Sequence, residues 1–99
     1  MNTWHEAKRL LNLKNHGVDF ADLDEFFDGD LLTREDARGT YEEQRWQSIG
    51  VAYSAVLFVV WTVRQVDDAD TYDDIPHLIS ARKAESHEYK AWQSRYKKR

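Results

Sequence analysis

Two arginines carry the residue types that phosphate chemistry needs. Arg64 closes the run at residues 56–64 (VLFVVWTVR), and Arg82 follows Ser80-Ala81 with Lys83 beside it. A guanidinium is planar and donates two hydrogen bonds at once to a phosphate. Ser80 is predicted to cap a final helix over 81–96, which sets Arg82 and Lys83 in its first turn, where free backbone N–H groups attract anions. The helix dipole disfavours cations in that turn, so two bases there depart from the usual pattern. The same pair also fits ordinary surface bases that meet the chain's many aspartates, and charge alone leaves the two readings equal. If the last two strands are antiparallel neighbours, Arg64 and Arg82 share a site only through a groove running along the sheet.

Other candidate chemistry is sparser. His16 ends the first predicted helix beside Gly17. An imidazole there is a candidate for general acid–base work, although a helix-end histidine more commonly serves as a capping donor. Tyr89, Trp92 and Tyr96 interleave with bases near the C-terminus. Trp92 and Tyr96 fall on the helix's apolar stripe and are expected in the core. Tyr89 lies off that stripe and is the candidate for stacking on a base. The four histidines show no metal-ligand spacing, and the paired aspartates at 67–68 and 73–74 read as a solvated acidic turn, so no metal site and no cofactor are expected. The glycines at 17, 29, 39 and 50 form no phosphate-cradling loop, and the absence of cysteine excludes a thiol nucleophile.

These residues must be positioned by a small scaffold. Ninety-nine residues suffice for one domain, taken here as 1–99. An apolar fraction of 41% with 13% aromatics argues against disorder, and the lack of cysteine fits a reducing, cytoplasmic setting. The polar opening at 1–6 has no signal-peptide pattern, and the longest apolar stretch, 55–61, is too short to span a bilayer, so no membrane association is expected. The net charge of −4 hides an asymmetry. Residues 19–30 hold six acids and no base, whereas residues 82–99 hold seven Lys/Arg against Glu85 and Glu88. A basic end on an acidic protein can still bind a polyanion, because the local field decides.

The periodicity predicts an α+β fold: two N-terminal helices, an antiparallel sheet of three to five strands, and a C-terminal helix. Thr3 with Glu6 has capping-box spacing ahead of a helix over 5–15, whose Ala7, Leu10, Leu11 and Lys14 share a face. Gly17 is its natural stop. A short helix follows from Asp19, with Phe20, Leu23, Phe26 and Phe27 at helical spacing. Strands are predicted over 31–35, 41–51, 56–64 and 75–80, with a tight turn at Tyr53-Ser54 and a solvated loop at 67–74. The run 56–64 is the expected central strand.

In this order the segments resemble the BrnT toxin family. Trp4, Lys8 and the run 12–20 (NLKNHGVDF) are similar to its opening. Arg34-Glu35-Asp36, Arg38, Tyr41-Glu42-Glu43, Arg45 and Ile49-Gly50 are similar to its middle. The runs 59–64 (VVWTVR) and 79–84 (ISARKA), with Glu88-Tyr89, are similar to its last strands and helix. The likeness covers nearly the whole chain. Asn15 stands where the family usually carries a base, Glu42 replaces a common glycine, and Pro76-His77-Leu78 replaces a strand that usually contains an arginine.

The resemblance implies a RelE-like fold and an endoribonuclease toxin of a type II toxin–antitoxin pair that halts translation. It also implies neutralisation by a ribbon-helix-helix antitoxin, with DNA bound only through that complex. The reaction would be metal-independent attack of a ribose 2′-OH on the adjacent phosphate. On that reading Arg64 and Arg82 clamp phosphate with Lys83 in support, His16 exchanges the proton, Glu88 orients an arginine, and Tyr89 stacks on the RNA. The alternative is a binding module of the same fold without catalysis, for nucleic acid or for protein.

Overall fold

The long strand 55–68 organises the molecule. Its β-branched and aromatic residues suit a sheet covered on both faces, and it lies at the centre of five strands. In the computed structural model, which describes residues 2–39, 43–68 and 71–96, the elements follow in the order β1 (Thr3–Trp4), α1 (Glu6–His16), two 3-10 turns (Phe20–Asp22 and Phe26–Asp28), β2 (Leu32–Glu35), β3 (Trp46–Ala52), β4 (Ala55–Asp68), β5 (Thr71–Lys83) and α2 (Ser86–Tyr96). The sheet order is β1-β5-β4-β3-β2. β1 runs parallel to β5 and every other pair is antiparallel. Tyr53 and Ser54 both have positive φ, 51° and 66°, and close the β3–β4 hairpin as the tight turn the sequence predicts.

The two faces of the sheet carry separate cores. Leu57 and Val59 of β4, with Ala52, Leu78 and Ala81, pack under Val18, Phe20, Leu23 and Phe26 of the 3-10 segment. On the opposite face Ile49, Phe58 and Val60 pack against Trp92 of α2. The Trp92 indole N–H donates to the Asp30 carbonyl at 3.0 Å and the Tyr96 hydroxyl donates to the Leu31 carbonyl, which pins α2 across the sheet. α2 covers one end of this face only. Thr62, Arg64 and His77 lie beyond it, on the same face by the register Thr62↔His77.

A β-bulge lies at the boundary. Val60 pairs with Ser80 and Trp61 with Leu78, which leaves Ile79 as the extra residue on β5. Ile79 and Ser80 therefore turn towards the same face, and Ile79 packs at the margin of the Trp92 core.

Several expectations are corrected. The second N-terminal helix is two single 3-10 turns, because Asp19 accepts the Ala21 N–H and closes a tight turn at once. The sheet is mixed rather than wholly antiparallel, since Thr3 and Trp4 form β1 instead of a capping box; His5 is the N-cap of α1 and makes no side-chain cap bond. The leucines of α1 do not face the core. Leu10 and Leu11 are each 53% exposed, and the buried residue of the helix is Asn12. Ser80 caps no helix: β5 runs from Thr71 through Lys83, and α2 begins at Ser86. The described part of 67–74 is paired strand, not loop. The start of the strand predicted over 41–51, at Tyr41, lies outside the described residues. Among the described residues no helix is long and apolar enough to cross a membrane.

Candidate nucleic-acid site

Beyond the reach of α2, the open end of the sheet forms a cleft of ≈ 320 Å³. β4 brings Arg64 to it, β5 brings His77, Leu78 and Ile79, the turn into α1 brings His5, α1 brings Lys8, and the segment ahead of β3 brings Glu43 and Arg45. That segment is held down by the buried Thr62 hydroxyl, which donates to the Gln44 carbonyl at 2.6 Å. Lys8, Arg45 and Arg64 outnumber Glu43, so the cleft is cationic although the chain is acidic.

Glu43 bridges the arginines. Its Oε1 accepts a hydrogen bond from Arg64 Nη1, and its Oε2 lies 3.9 Å from Arg45 Nε. The Glu43 carboxylate thus stands between two guanidiniums, a group that pairs with carboxylates and phosphates alike. The His77 ring is oriented by a 2.8 Å hydrogen bond between its Nδ1 and Thr3 Oγ1. Burial, and then the Arg64 cation, push the His77 pKa below its usual value.

An adjoining depression of ≈ 170 Å³ runs beside α1 and shares Lys8 and Ile79 with the cleft. Asn15 and His16 lie along it. Arg64 and His16 thus belong to one trough with Lys8 in its middle, although they stand on different elements.

Arg82 and Glu88 belong to a different place. Arg82 pairs with Phe58, and Arg64 lies six positions further along β4, about 20 Å away along the strand. Arg82 Nη1 and Nη2 donate to the two Glu88 carboxylate oxygens at 2.8 and 2.9 Å, and its guanidinium carbon sits 4.3 Å over the Phe58 ring. Glu88 Oε1 also accepts the Glu85 N–H at 2.8 Å, the backward half of a capping box at the start of α2. Arg82 holds the Glu88 carboxyl below its usual pKa, with the Glu85 N–H adding to the effect against burial. The Arg82–Glu88 pair fastens α2 to β5. Lys83 faces the opposite side of the sheet near Asp19 and Tyr53. Tyr89 is exposed on α2 beside Trp92, which is buried. Among the described residues, Glu85, His87 and Glu88 put ligand atoms within 4.8 Å of one another. Glu88 is already committed to Arg82 there, which weakens that group as a metal centre.

Sequence reasoning missed His5, Lys8, Arg45 and His77 as members of one site. Only long-range pairing assembles them: Thr3 and His77 meet through the parallel β1–β5 contact. The signal the sequence carried was His77 itself, a polar residue beside Leu78 on a strand whose alternate positions face a covered core.

Comparison with curated proteins returns no match. A family model described as the ribonuclease toxin BrnT of a type II toxin–antitoxin system matches residues 4–88, which run from Trp4 at the end of β1 through β5 to the start of α2, with every residue of the cleft inside the match. The chain belongs to the BrnT family of type II toxin–antitoxin ribonuclease toxins.

Proposed function

We propose that this chain cuts RNA at the open end of its sheet, by metal-independent attack of a ribose 2′-OH on the adjacent phosphate, and so inhibits translation. The observation that carries the reading is the convergence of Lys8, Arg45 and Arg64 on one cleft, with Glu43 in the position of an anion. In-line attack on phosphorus builds negative charge on the phosphoryl oxygens, and fixed cations stabilise it most where water is thinned out. The scissile phosphate replaces Glu43 at Arg64 and Arg45, and Lys8 holds the neighbouring phosphate. The trough past Ile79 leads the strand on to His16, which meets a flanking nucleotide. Arg82 and Glu88 act at a distance, by fixing α2, and Tyr89 and Lys83 lie away from the trough. As a type II toxin the chain has an antitoxin partner. A ribbon-helix-helix antitoxin whose basic segments meet the acidic 19–30 region fits the charge asymmetry.

The test is induction in a bacterial host beside Arg64→Ala and Lys8→Ala versions, with growth and RNA integrity followed together. Arrested growth with RNA cleavage by the wild type, lost in both variants at equal soluble protein, is the expected result. Normal growth with intact RNA would refute the reading and leave a binding module of the same fold.

A further inference from the structure

We infer that His77 is the proton acceptor of this cleft, oriented by Thr3, an inference that rests on the cleft being the RNA-cleaving site. The ring stands at Thr62↔His77 on the sheet face that carries Arg64, so its free edge and the Arg64 guanidinium border the same space. Thr3 fixes the ring from the edge strand: with Nδ1–H donated to Thr3 Oγ1, the Nε2 lone pair is left for the cleft. Among the described residues the ring makes no other hydrogen bond. A base must also be unprotonated when substrate arrives. Burial and Arg64 favour the neutral ring, Glu43 opposes them, and His5 adds to them. Lys8 and Arg45 complete the charged groups lining that space.

The step balances without a further reactant. His77 Nε2 takes the ribose 2′-OH proton as O2′ bonds to phosphorus. The bond from phosphorus to the 5′ oxygen breaks, and that oxygen takes a proton from the water at the open mouth of the cleft. The products are a 2′,3′-cyclic phosphate and a 5′-hydroxyl, and the imidazolium then returns its proton to solvent. Thr3 is a positioning residue: it touches the ring and no reacting atom.

The test is single-turnover cleavage of an RNA oligonucleotide by purified protein, with affinity measured separately on its 2′-O-methyl analogue, which cannot react. His77→Asn keeps a polar atom for Thr3 but cannot serve as the base, and it is expected to lower the cleavage rate about 100-fold or more while affinity for the analogue holds. Thr3→Val is expected to slow cleavage by about 10-fold, again with affinity unchanged. Wild-type cleavage should fall on acidification along a limb centred below the usual histidine pKa, and Glu43→Gln should move that limb lower still. Cleavage by His77→Asn at the wild-type rate would overturn the inference and leave the nuclease reading intact. A wild-type pH profile flat through the histidine range would also overturn it, whether or not the variant folds. Absence of cleavage by the wild-type protein would instead overturn the nuclease reading beneath it.

Discussion

The Asn12 side chain pairs with the Ala81 backbone as a strand would. Its Oδ1 accepts the Ala81 N–H at 3.0 Å and its Nδ2 donates to the Ala81 carbonyl at 2.8 Å. β1 covers the edge of β5 only at Thr3↔His77 and Trp4↔Leu78. Beyond that point one helix side chain continues the edge and so sets α1 beside the sheet. The same amide donates to the Val18 carbonyl at 2.9 Å, which ties down the chain after Gly17. The position of Lys8 and His16 along the trough depends on this anchor.

Asn12→Ala should therefore destabilise the protein by about 2–4 kcal/mol, because it strands buried groups on Ala81 and Val18 rather than removing a surface contact. Chemical denaturation measures it. A loss under about 0.5 kcal/mol, the level of ordinary surface substitutions, would mean that water takes over those bonds. Asn12→Leu should fare no better, since an apolar side chain leaves the same groups unpaired.

How far the sequence was legible follows from which forces decide each element. Gly17 is left-handed at φ 72° and its N–H bonds the Leu13 carbonyl, so the predicted helix stop rests on a local rule that nothing distant overrides. Tyr53-Ser54 and the strand through residues 56–64 are local in the same sense. Ser80-Ala81-Arg82-Lys83-Ala84 is the opposite case. It has a cap residue and good helix formers, yet Leu57 to Val60 offer it a ladder across a covered sheet, and pairing wins. The error carried Arg82 from a helix N-terminus, where it looked anomalous, to a strand where it has Glu88 and Phe58 as partners. Of the candidate site, Arg64 was legible at the end of an apolar run. His77 was not, because its orienting partner Thr3 lies 74 residues away in the chain.

Arg64 and Arg82 should separate cleanly in experiment. Arg64→Ala is expected to abolish RNA cleavage with a stability change within about 1 kcal/mol, since its partner Glu43 is solvent-reached and such pairs contribute little. Arg82→Ala is expected to destabilise by about 2–3 kcal/mol, because a mostly buried Glu88 loses its bidentate partner at the start of α2. Its activity, assayed well below its melting temperature, should stay within a few-fold of wild type. Loss of cleavage by fully folded Arg82→Ala would place Arg82 on the RNA after all.

Gly50 allows a close approach that no side chain can share. A Cβ there would sit 2.5 Å from Leu31 Cδ2, 3.2 Å from Phe26 Cε1 and 3.3 Å from the Asp30 carbonyl. The leucine end can move, but the Asp30 carbonyl is also the acceptor for Trp92, so displacement reaches α2. Gly50→Ala should cost about 1–3 kcal/mol, the usual range for overpacking, read as a fall in the denaturation midpoint. An unchanged midpoint would show that Leu31 alone absorbs the methyl.

Acid stability should report on Asp36. Its side chain is fully buried; it accepts Arg38 Nε at 2.8 Å and Nη2 at 3.0 Å, and Gln47 Nε2 at 3.0 Å. Arg38 foremost, against the cost of burial, holds the carboxyl well below its ordinary pKa of 3.8, at about 2. The folded state thus binds this proton less readily than the unfolded chain. The stabilisation is fully present above pH 3.8 and is lost as pH falls towards about 2. A shift of that size corresponds to about 2 kcal/mol. Glu88 and Asp19 also have lowered pKa values and unload in overlapping acid ranges, so wild-type titration alone does not isolate Asp36. Asp36→Asn removes this titration: it should be less stable at neutral pH, and the gap to wild type should narrow below pH 3.8. Urea denaturation across that range makes the comparison, and a gap independent of pH would mean that Asp36 acts through its packing and neutral hydrogen bonds alone.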